Sequence, residues 1–510
     1  MKTLRWTTYP LLLGALVLLG ACAVTPDPLT RDEIRARVEA DRAALAVYRQ
    51  PVQGPMTLTD AIARALVSNL DLRTDDLTRL MEQDSMTLAQ LGLLPDMSGT
   101  INSTHRNRAS GSLGDAPEDK PNTSRRVRVL QTQWSVLNFG IGYLSARQAA
   151  NESLAAEERR RRAAAALIND VTYYFYRTLF SEQRMERLDV LDQRLDDLLD
   201  LSERLRESRL EDPLTILNIQ AGLYQLKRRI SGLRRDLEVS QEKLARLLNL
   251  PSDQPLPLIG LPDDRMVRLA LGMDLDRAVD EALMRRPELR DFDYQIRNAH
   301  LDVWKTYLGL LPDLSLTYGL NTDTSSTAAV RTWTETGARG VMQLLGLITF
   351  PWKNERAANN EELLKLRRVA LSLAVMEQVR TSRTILQQIT RDVSLSDRIV
   401  ATNDGIVDLW DLRLPFNVTD ELVRFRAEVD GILTHIERDD LLAEQQRSLG
   451  DMLMALGLPL APEVLDVTDP AAVRTQVEEH LRGLPQRLQD LARPQERQEE
   501  VSAVPAGATP

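Results

Sequence analysis

The chain carries the same pattern twice. Met56-Thr57-Leu58-Thr59-Asp60-Ala61 returns as Met273-Asp274-Leu275-Asp276-Arg277-Ala278, and Leu91-Gly92-Leu93-Leu94-Pro95-Asp96 returns unchanged as Leu308-Gly309-Leu310-Leu311-Pro312-Asp313. Both pairs are displaced by 217 positions, so no gap lies between them. Ala149-Ala150-Asn151 with Ala357-Ala358-Asn359, and Leu250-Pro251 with Leu458-Pro459, are displaced by 208. The second copy has therefore lost about nine residues in the loop region between Asp96 and Ala149. A repeat this long constrains the architecture strongly, because each copy must supply the same elements in the same order.

Each copy reads as helix, strand pair, long helix, turn and returning helix. Leu58 to Leu94 has helical periodicity and stops before Pro95, as a helix should ahead of proline. Met97 to about Phe139 is rich in Ser, Thr, Asn and Gly, with Val127, Val129 and Trp134 in a β-like segment. It predicts two strands joined by a loop around Gly111 to Pro121. From Leu144 the pattern turns helical. Leu188, Leu191, Leu195, Leu198, Ser202 and Leu205 alternate steps of three and four, the seam of a coiled coil. Asp212-Pro213 breaks it, with Pro213 suited to the first turn of a new helix. The returning seam runs Ile219, Leu223, Leu226, Ile230, Leu233, Leu237, Ser240, Leu244, Leu247. The second copy predicts helices over Leu275 to Leu311, about Asn354 to Leu414, and Val418 to Leu456.

Helix lengths and strand number add geometry. Leu144 to Ser208 is about 65 residues or roughly 97 Å, whereas the returning helix of about 38 residues reaches only roughly 57 Å. Two short helices stacked end to end would therefore flank each long one, in the manner of an α-barrel. Four strands per chain fall short of the roughly eight in the smallest closed membrane barrels. If they enter lipid, where every backbone group must be paired, several chains must share one barrel.

The N-terminus sets the compartment. Lys2 and Arg5 precede an apolar run from Leu11 to Leu19, too short to span about 30 Å of bilayer. Leu19-Gly20-Ala21-Cys22 follows. This is the pattern of a bacterial lipobox, with cleavage after Ala21 and lipid on Cys22, the chain's only cysteine. No thiol then remains for a disulfide or a metal site. Ala23 in place of the aspartate that retains lipoproteins at the inner membrane predicts transport to the outer one.

Other chemistries find little support. The net charge of −10 disfavours nucleic acid as a partner. The run Arg159 to Arg162 follows Glu157 and Glu158 and reads as a solvated, ion-paired helical face. His105, His300, His435 and His480 belong to no metal-binding pattern. Ser240-Gln241-Glu242-Lys243 matches S-x-x-K, but Ser240 lies in the seam and no companion motif is present. There is no glycine-rich phosphate loop, and neither a cofactor nor an enzymatic role is expected. With 27% charged and 5% aromatic residues the balance is that of a coiled-coil protein.

From Leu58 to Pro459 these features, in this order, resemble the TolC family of outer membrane efflux and secretion ducts. The resemblance is carried by Leu58 to Arg73, by Leu275 to Arg290, by the Leu-Pro pairs that follow them, by Trp134 to Gly140 and by Arg424 to Glu428. It implies a homotrimer with a twelve-stranded barrel continuous with a periplasmic helical tunnel. The tunnel's tips would meet a periplasmic adaptor protein driven by an inner membrane transporter. Pro95 and Pro312 become the helix-to-strand junctions. The two turns, Arg209, Leu210, Glu211, Asp212, Pro213 and Leu214, and Leu414, Pro415, Phe416, Asn417, Val418 and Thr419, become the adaptor-docking tips. The family often has an acidic residue four positions before the tip alanine, as a ring lining the closed aperture. Leu217 and Val423 stand there instead, so Asp212, Asp420, Glu421 and Glu428 are the nearby candidates. Met97 to Arg108 is also more polar than a lipid-facing strand should be, which suggests a short barrel or weak lipid contact.

The expected organisation is a signal peptide over 1–21, an anchor and linker over 22–55, repeats over 56–260 and 273–460, and a short helix with a disordered tail over 461–510. The expected function is an outer membrane channel for an efflux pump or a type I secretion system, with outer membrane lipid around the barrel. The alternative is a periplasm-spanning coiled-coil lipoprotein without a conducting barrel, towards which the low aromatic content of the strands leans.

Overall fold

The computed structural model describes residues 27–49, 54–105, 124–208, 212–251, 256–324, 330–412, 418–462 and 470–492. Leu19 to Cys22, Arg209 to Glu211 and Leu414 to Asn417 lie outside them, and of Val418 to Glu421 only the backbone is described. The chain divides into two compact units at Pro51 and Val52. The first contains helix α1, Arg31–Tyr48, where only a linker was expected. The missed signal is a capping box: Thr30 Oγ1 accepts from the Glu33 amide at 3.3 Å, and the Glu33 carboxylate accepts from the Thr30 amide at 2.7 Å.

The second unit holds the remaining elements in a doubled order. The first half is α2 (Leu58–Ser68), α3 (Leu70–Leu91), β1 (Asp96–His105), β2 (Ser124–Ser135), α4 (Val136–Ser208) and α5 (Pro213–Leu247). After α6 (Asp264–Leu271) the second half runs α7 (Leu275–Arg285), α8 (Pro287–Leu308), β3 (Asp313–Asp323), β4 (Thr332–Val341), α9 (Leu344–Asp411) and α10 (Val418–Ala455). A C-terminal helix α11 (Pro470–Ala492) follows. The change of offset falls between the strands of each pair: 106–123 separates β1 from β2, and only 324–331 separates β3 from β4.

The long helices are flanked as their lengths demand. Helix α4 packs against α3 and α5, α9 packs against α8 and α10, and α4 also meets α8 and α10. The expected seam is the core of the hairpin: Leu188, Leu191, Leu195, Leu223, Ile230 and Leu237 are buried, joined by Phe425, Val429, Leu433 and Ile436 of α10. Ser240 is buried in that seam, its hydroxyl donating to the Asp236 carbonyl at 2.7 Å. A second core gathers α2, α6, α7 and α11 around the middle of α4 and the end of α10, with Phe175, Leu248, Met452 and Leu456 at its centre.

Three expectations are corrected. Leu58 to Leu94 and Leu275 to Leu311 are each two helices. Asn69 ends α2 and caps α3, its side chain accepting from the Leu72 amide at 3.1 Å. Arg286 precedes Pro287, whose ring forbids the hydrogen bond a continuous helix needs. Both long helices start earlier than Leu144 and Asn354, at Val136 and Leu344, because their first turns are apolar and aromatic and read as the ends of strands. The run Arg159 to Arg162 is ion-paired but not solvated along its length. Arg160 is only 7% exposed and pairs with Asp76 of α3, while Arg159 bridges Glu152 at 2.7 Å and Asp291 of α8 at 3.2 Å.

Candidate functional site

The four strands form one antiparallel sheet in the order β1-β2-β3-β4. Helices α3, α4, α8 and α9 neighbour one another in the same order. The helix-to-strand junctions are repeated in both halves. Pro95 and Pro312 each stand immediately before the first strand residue, after a turn opened by Gly92 or Gly309. Close approach at the start of α4 needs small residues: a Cβ on Gly142 would lie 3.3 Å from Leu93, and one on Gly140 3.6 Å from Leu308. Ser135 ties the junctions together, its hydroxyl donating to Asp313 and accepting from the Asn138 amide at 3.0 Å.

Register separates the two faces of the sheet. Residues opposite one another across strands share a face, and Thr132 lies opposite both Met97 and Tyr318, Leu130 opposite Leu320, and Trp134 opposite Leu316. With Ile101 and Leu314 on the same face, these apolar side chains are all exposed. The other face carries Ser98, Thr100, Asn102, Gln131, Gln133, Thr317 and Asn321 together with Val127, Val129 and Trp333, and on β3 its residues are the shielded ones; the apolar face in turn carries Arg126 and Arg128 of β2 and Thr332, Thr334 and Thr336 of β4. Apolar outward and polar inward with a period of two is the pattern of a membrane barrel wall. The strands have 10, 12, 11 and 10 residues, enough for the 9–11 or so that a tilted strand needs to cross a bilayer. Strand length thus does not limit the barrel, but Ser103, Arg126 and Arg128 interrupt the apolar band of the outer face beyond Ile101, in keeping with the expected weak lipid contact. Read alone, Met97 to Arg108 looks polar; paired, Met97 to His105 contributes Met97 and Ile101 to a wall whose other apolar members come from its neighbours.

The sheet is open. Strands β1 and β4 each have one paired side, and every residue of both is exposed. The flanking helices match this: α3 leaves Leu77, Met81, Leu88 and Leu91 exposed, and α9 leaves Leu366, Val369 and Leu373 exposed. Aromatic side chains cluster at the helical end of the sheet. Trp134 meets Phe139 edge to face at 5.6 Å, and Tyr307 meets Phe350 at 5.4 Å, with Trp304 beside it.

At the far end of the long helices, Asp212 caps α5, its carboxylate accepting from the Thr215 amide at 3.1 Å, and Pro213 occupies the first turn. Leu214 is 66% exposed, and Leu217, Leu412 and Val423 are exposed near it in sequence or at the second tip. Glu428 is held inside the hairpin. It pairs with Arg194 of α4 and, at 3.4 Å, with Arg424, which also reaches Asp411 at 2.7 Å. Its carboxylate is thus already neutralised within the chain.

Charge pairs link the long helices above the tips. Arg184 meets Asp439 at 3.0 Å, Arg177 meets Asp440 at 3.1 Å and Arg438 meets Asp397 at 2.9 Å, and the His435 ring is hydrogen-bonded to Asp404 at 2.9 Å. Burial pushes the Asp440 carboxyl up despite Arg177, and pushes Asp451 up despite Arg447 and the Asn169 amide that donates to it at 2.7 Å. Burial also pushes the Tyr176 phenol up to about 12, with Asp263 adding to it. Among the described residues no three His, Cys, Asp or Glu side chains are placed to hold a metal, and no helix is long and apolar enough to cross a membrane.

Known proteins share this design. No family model matches the sequence. Over 389 residues the chain is 25% identical to the pyoverdine export outer membrane protein OpmQ of Pseudomonas aeruginosa, covering 73% of the chain and 81% of that relative. Over 457 residues it is 21% identical to the toluene efflux pump outer membrane protein TtgC of Pseudomonas putida, covering 86% and 91%. Among solved structures, the outer membrane channel OprN superposes with a TM-score of 0.62 at 16% identity, over 78% of this chain and 89% of that one. The Campylobacter jejuni CmeC outer membrane channel does so at 0.64 and 12% identity, over 83% and 89%.

Proposed function

We infer that this chain, a TolC-type outer membrane duct by its fold and its relatives, is the exit channel of an export system, passing substrates from the periplasm to the exterior. The observation that carries this reading is the sheet: it is open at both edges among the described residues, with an exposed apolar band of Met97, Ile101, Leu130, Trp134, Leu314, Leu316 and Leu320 on one face and a mostly polar opposite face. Unpaired edge strands cannot rest in lipid, so β4 of one copy pairs with β1 of the next. The exposed apolar stripes on α3 and α9 meet across the same boundary. Such a head-to-tail contact closes into a ring when the rotation allows it, and three copies supply twelve strands. The relatives are outer membrane export and efflux proteins, and passage through a duct calls for no catalytic step. The apolar outer face disfavours the alternative of a coiled-coil spacer without a barrel.

In this arrangement the polar inner face lines the pore, and Cys22 carries lipid as a second anchor beside the lipid-facing wall. The tips at Arg209 to Leu214 and Leu414 to Thr419 lie at the periplasmic end, where an adaptor joins them to an inner membrane transporter. Support comes from distance and exposure. Helix α4 has 73 residues, about 110 Å, and ends beside Leu214, an apolar side chain left to solvent where a partner would cover it. With Glu428 committed to Arg194 and Arg424, the aperture carboxylates are assigned to Asp420 and Glu421, with Asp212 beside its own cap. The test is Leu214→Glu with Val418→Glu. Export in whole cells should fall to background while the oligomer forms normally; retained export, or failed assembly instead, overturns the docking role.

A further inference from the structure

The two halves part company at one place. In the first half the break between α2 and α3 is closed by its own side chains. Asn69 caps α3 and donates to the Leu247 carbonyl at 3.2 Å, while Ser68 Oγ and Arg64 Nε donate to the Leu248 carbonyl at 3.1 and 2.9 Å. The residue 217 positions after Asn69 is Arg286. It makes no side-chain cap on α8 and instead reaches Gln378 at 2.6 Å and Glu288 at 3.1 Å. Asn249, at a φ of 51°, has as its counterpart Gly457 at 68°, where a Cβ would come within 2.9 Å of the Arg285 carbonyl carbon. In the second half the backbone after Gly457 borders a cavity of about 330 Å³.

Six arginines line that cavity: Arg160, Arg161 and Arg162 from α4, Arg285 and Arg286 at the α7–α8 break, and Arg290 from α8. Only two carboxylates line it with them. Glu158 is shared between Arg161 at 3.2 Å and Arg290 at 3.5 Å, and Glu288 is taken up by Arg286. Arg162 makes no ion pair among the described residues, and Arg290 is half-exposed. The uncapped first turn of α8 adds its own positive end. Carboxylates outside the cavity answer three of the six, Asp76 pairing with Arg160, Glu157 with Arg161 at 3.4 Å and Glu281 with Arg285 at 2.6 Å, so Arg162 and Arg290, which shares its one carboxylate, are the guanidinium groups with donors left for an anion. Their planar donor forks match carboxylate and phosphate oxygens.

We propose that this cavity binds a small, multiply charged oxyanion carrying phosphate or carboxylate groups, one per chain. Full-length protein in mild detergent, at an ionic strength fixed with chloride, is titrated by calorimetry with inorganic phosphate and, separately, with citrate. Saturable binding of either supports the site, and the tighter one names the group. Arg162→Gln with Arg290→Gln should weaken it at least about tenfold, as the loss of a charge-assisted hydrogen bond does. Arg73→Gln, the first-half counterpart of Arg290, should leave it unchanged. Should the double variant lose helicity, Arg162→Gln alone, at an exposed position, carries the same test. If neither anion binds saturably, or if the arginine variants bind as the unaltered protein does, the proposal is overturned.

Discussion

Arg160 carries its charge into the space between α3 and α4, where Asp76 is its partner and little water reaches either group. Removing one member of such a pair strands the other, which is more harmful than removing both. Asp76 keeps some exposure, so Asp76→Ala should lower stability by about 2–3 kcal/mol, below the roughly 3–5 kcal/mol of a fully buried pair. Adding Arg160→Met should recover at least half of that loss in thermal melts; an additive loss would contradict the pairing. Asp451 acts in the opposite sense. Its proton is held more firmly in the fold than at the ordinary value of 3.8, because burial penalises the carboxylate. The ionised form therefore weakens the fold at neutral pH, and the penalty fades as the pH falls towards 3.8. Asp451→Asn should melt higher than the parent at pH 7, with a smaller advantage at pH 5. A gap that does not change with pH would show that the carboxyl is not the cause. Neither residue's role was legible in the sequence, since ion pairs between helices far apart in the chain leave no local pattern.

Among the elements, what was legible followed local periodicity. The seam from Leu188 to Leu247 announced its hairpin because every third or fourth residue faces the partner helix. The breaks at Asn69 and Arg286 were obscured because the apolar period runs through them, although Pro287 marked the second. The strands were found, but not their faces. A barrel wall is built by cross-strand neighbours, and β1 alone cannot reveal that its Gly99 lies opposite Leu130. The faces now separate two substitutions on neighbouring strands. Leu320→Arg, on the outer face and opposite mid-strand Leu130, should cost about 2–4 kcal/mol, seen as loss of oligomer from membranes. Gln131→Arg, on the inner face, should assemble normally. Equal tolerance of both would remove the assignment of the faces.

At the scale of the whole molecule, the doubled order of helices and strands makes one chain a wall segment of two like halves, which the proposed ring would close. Its open strand edges β1 and β4, and the apolar stripes beside them on α3 and α9, lie at the two ends of that segment. The repeat was visible in the sequence from fourteen identities. That the segment is open at both ends needed the sheet order. The central claim is that several copies close these edges into a water-filled pore. Single-channel recording of the purified full-length protein in a planar bilayer tests it most directly, with the mass of the same detergent-solubilised sample measured alongside. Discrete conductance steps from a species with the mass of three chains are predicted. A monomer of full helical content that inserts without conducting would contradict it.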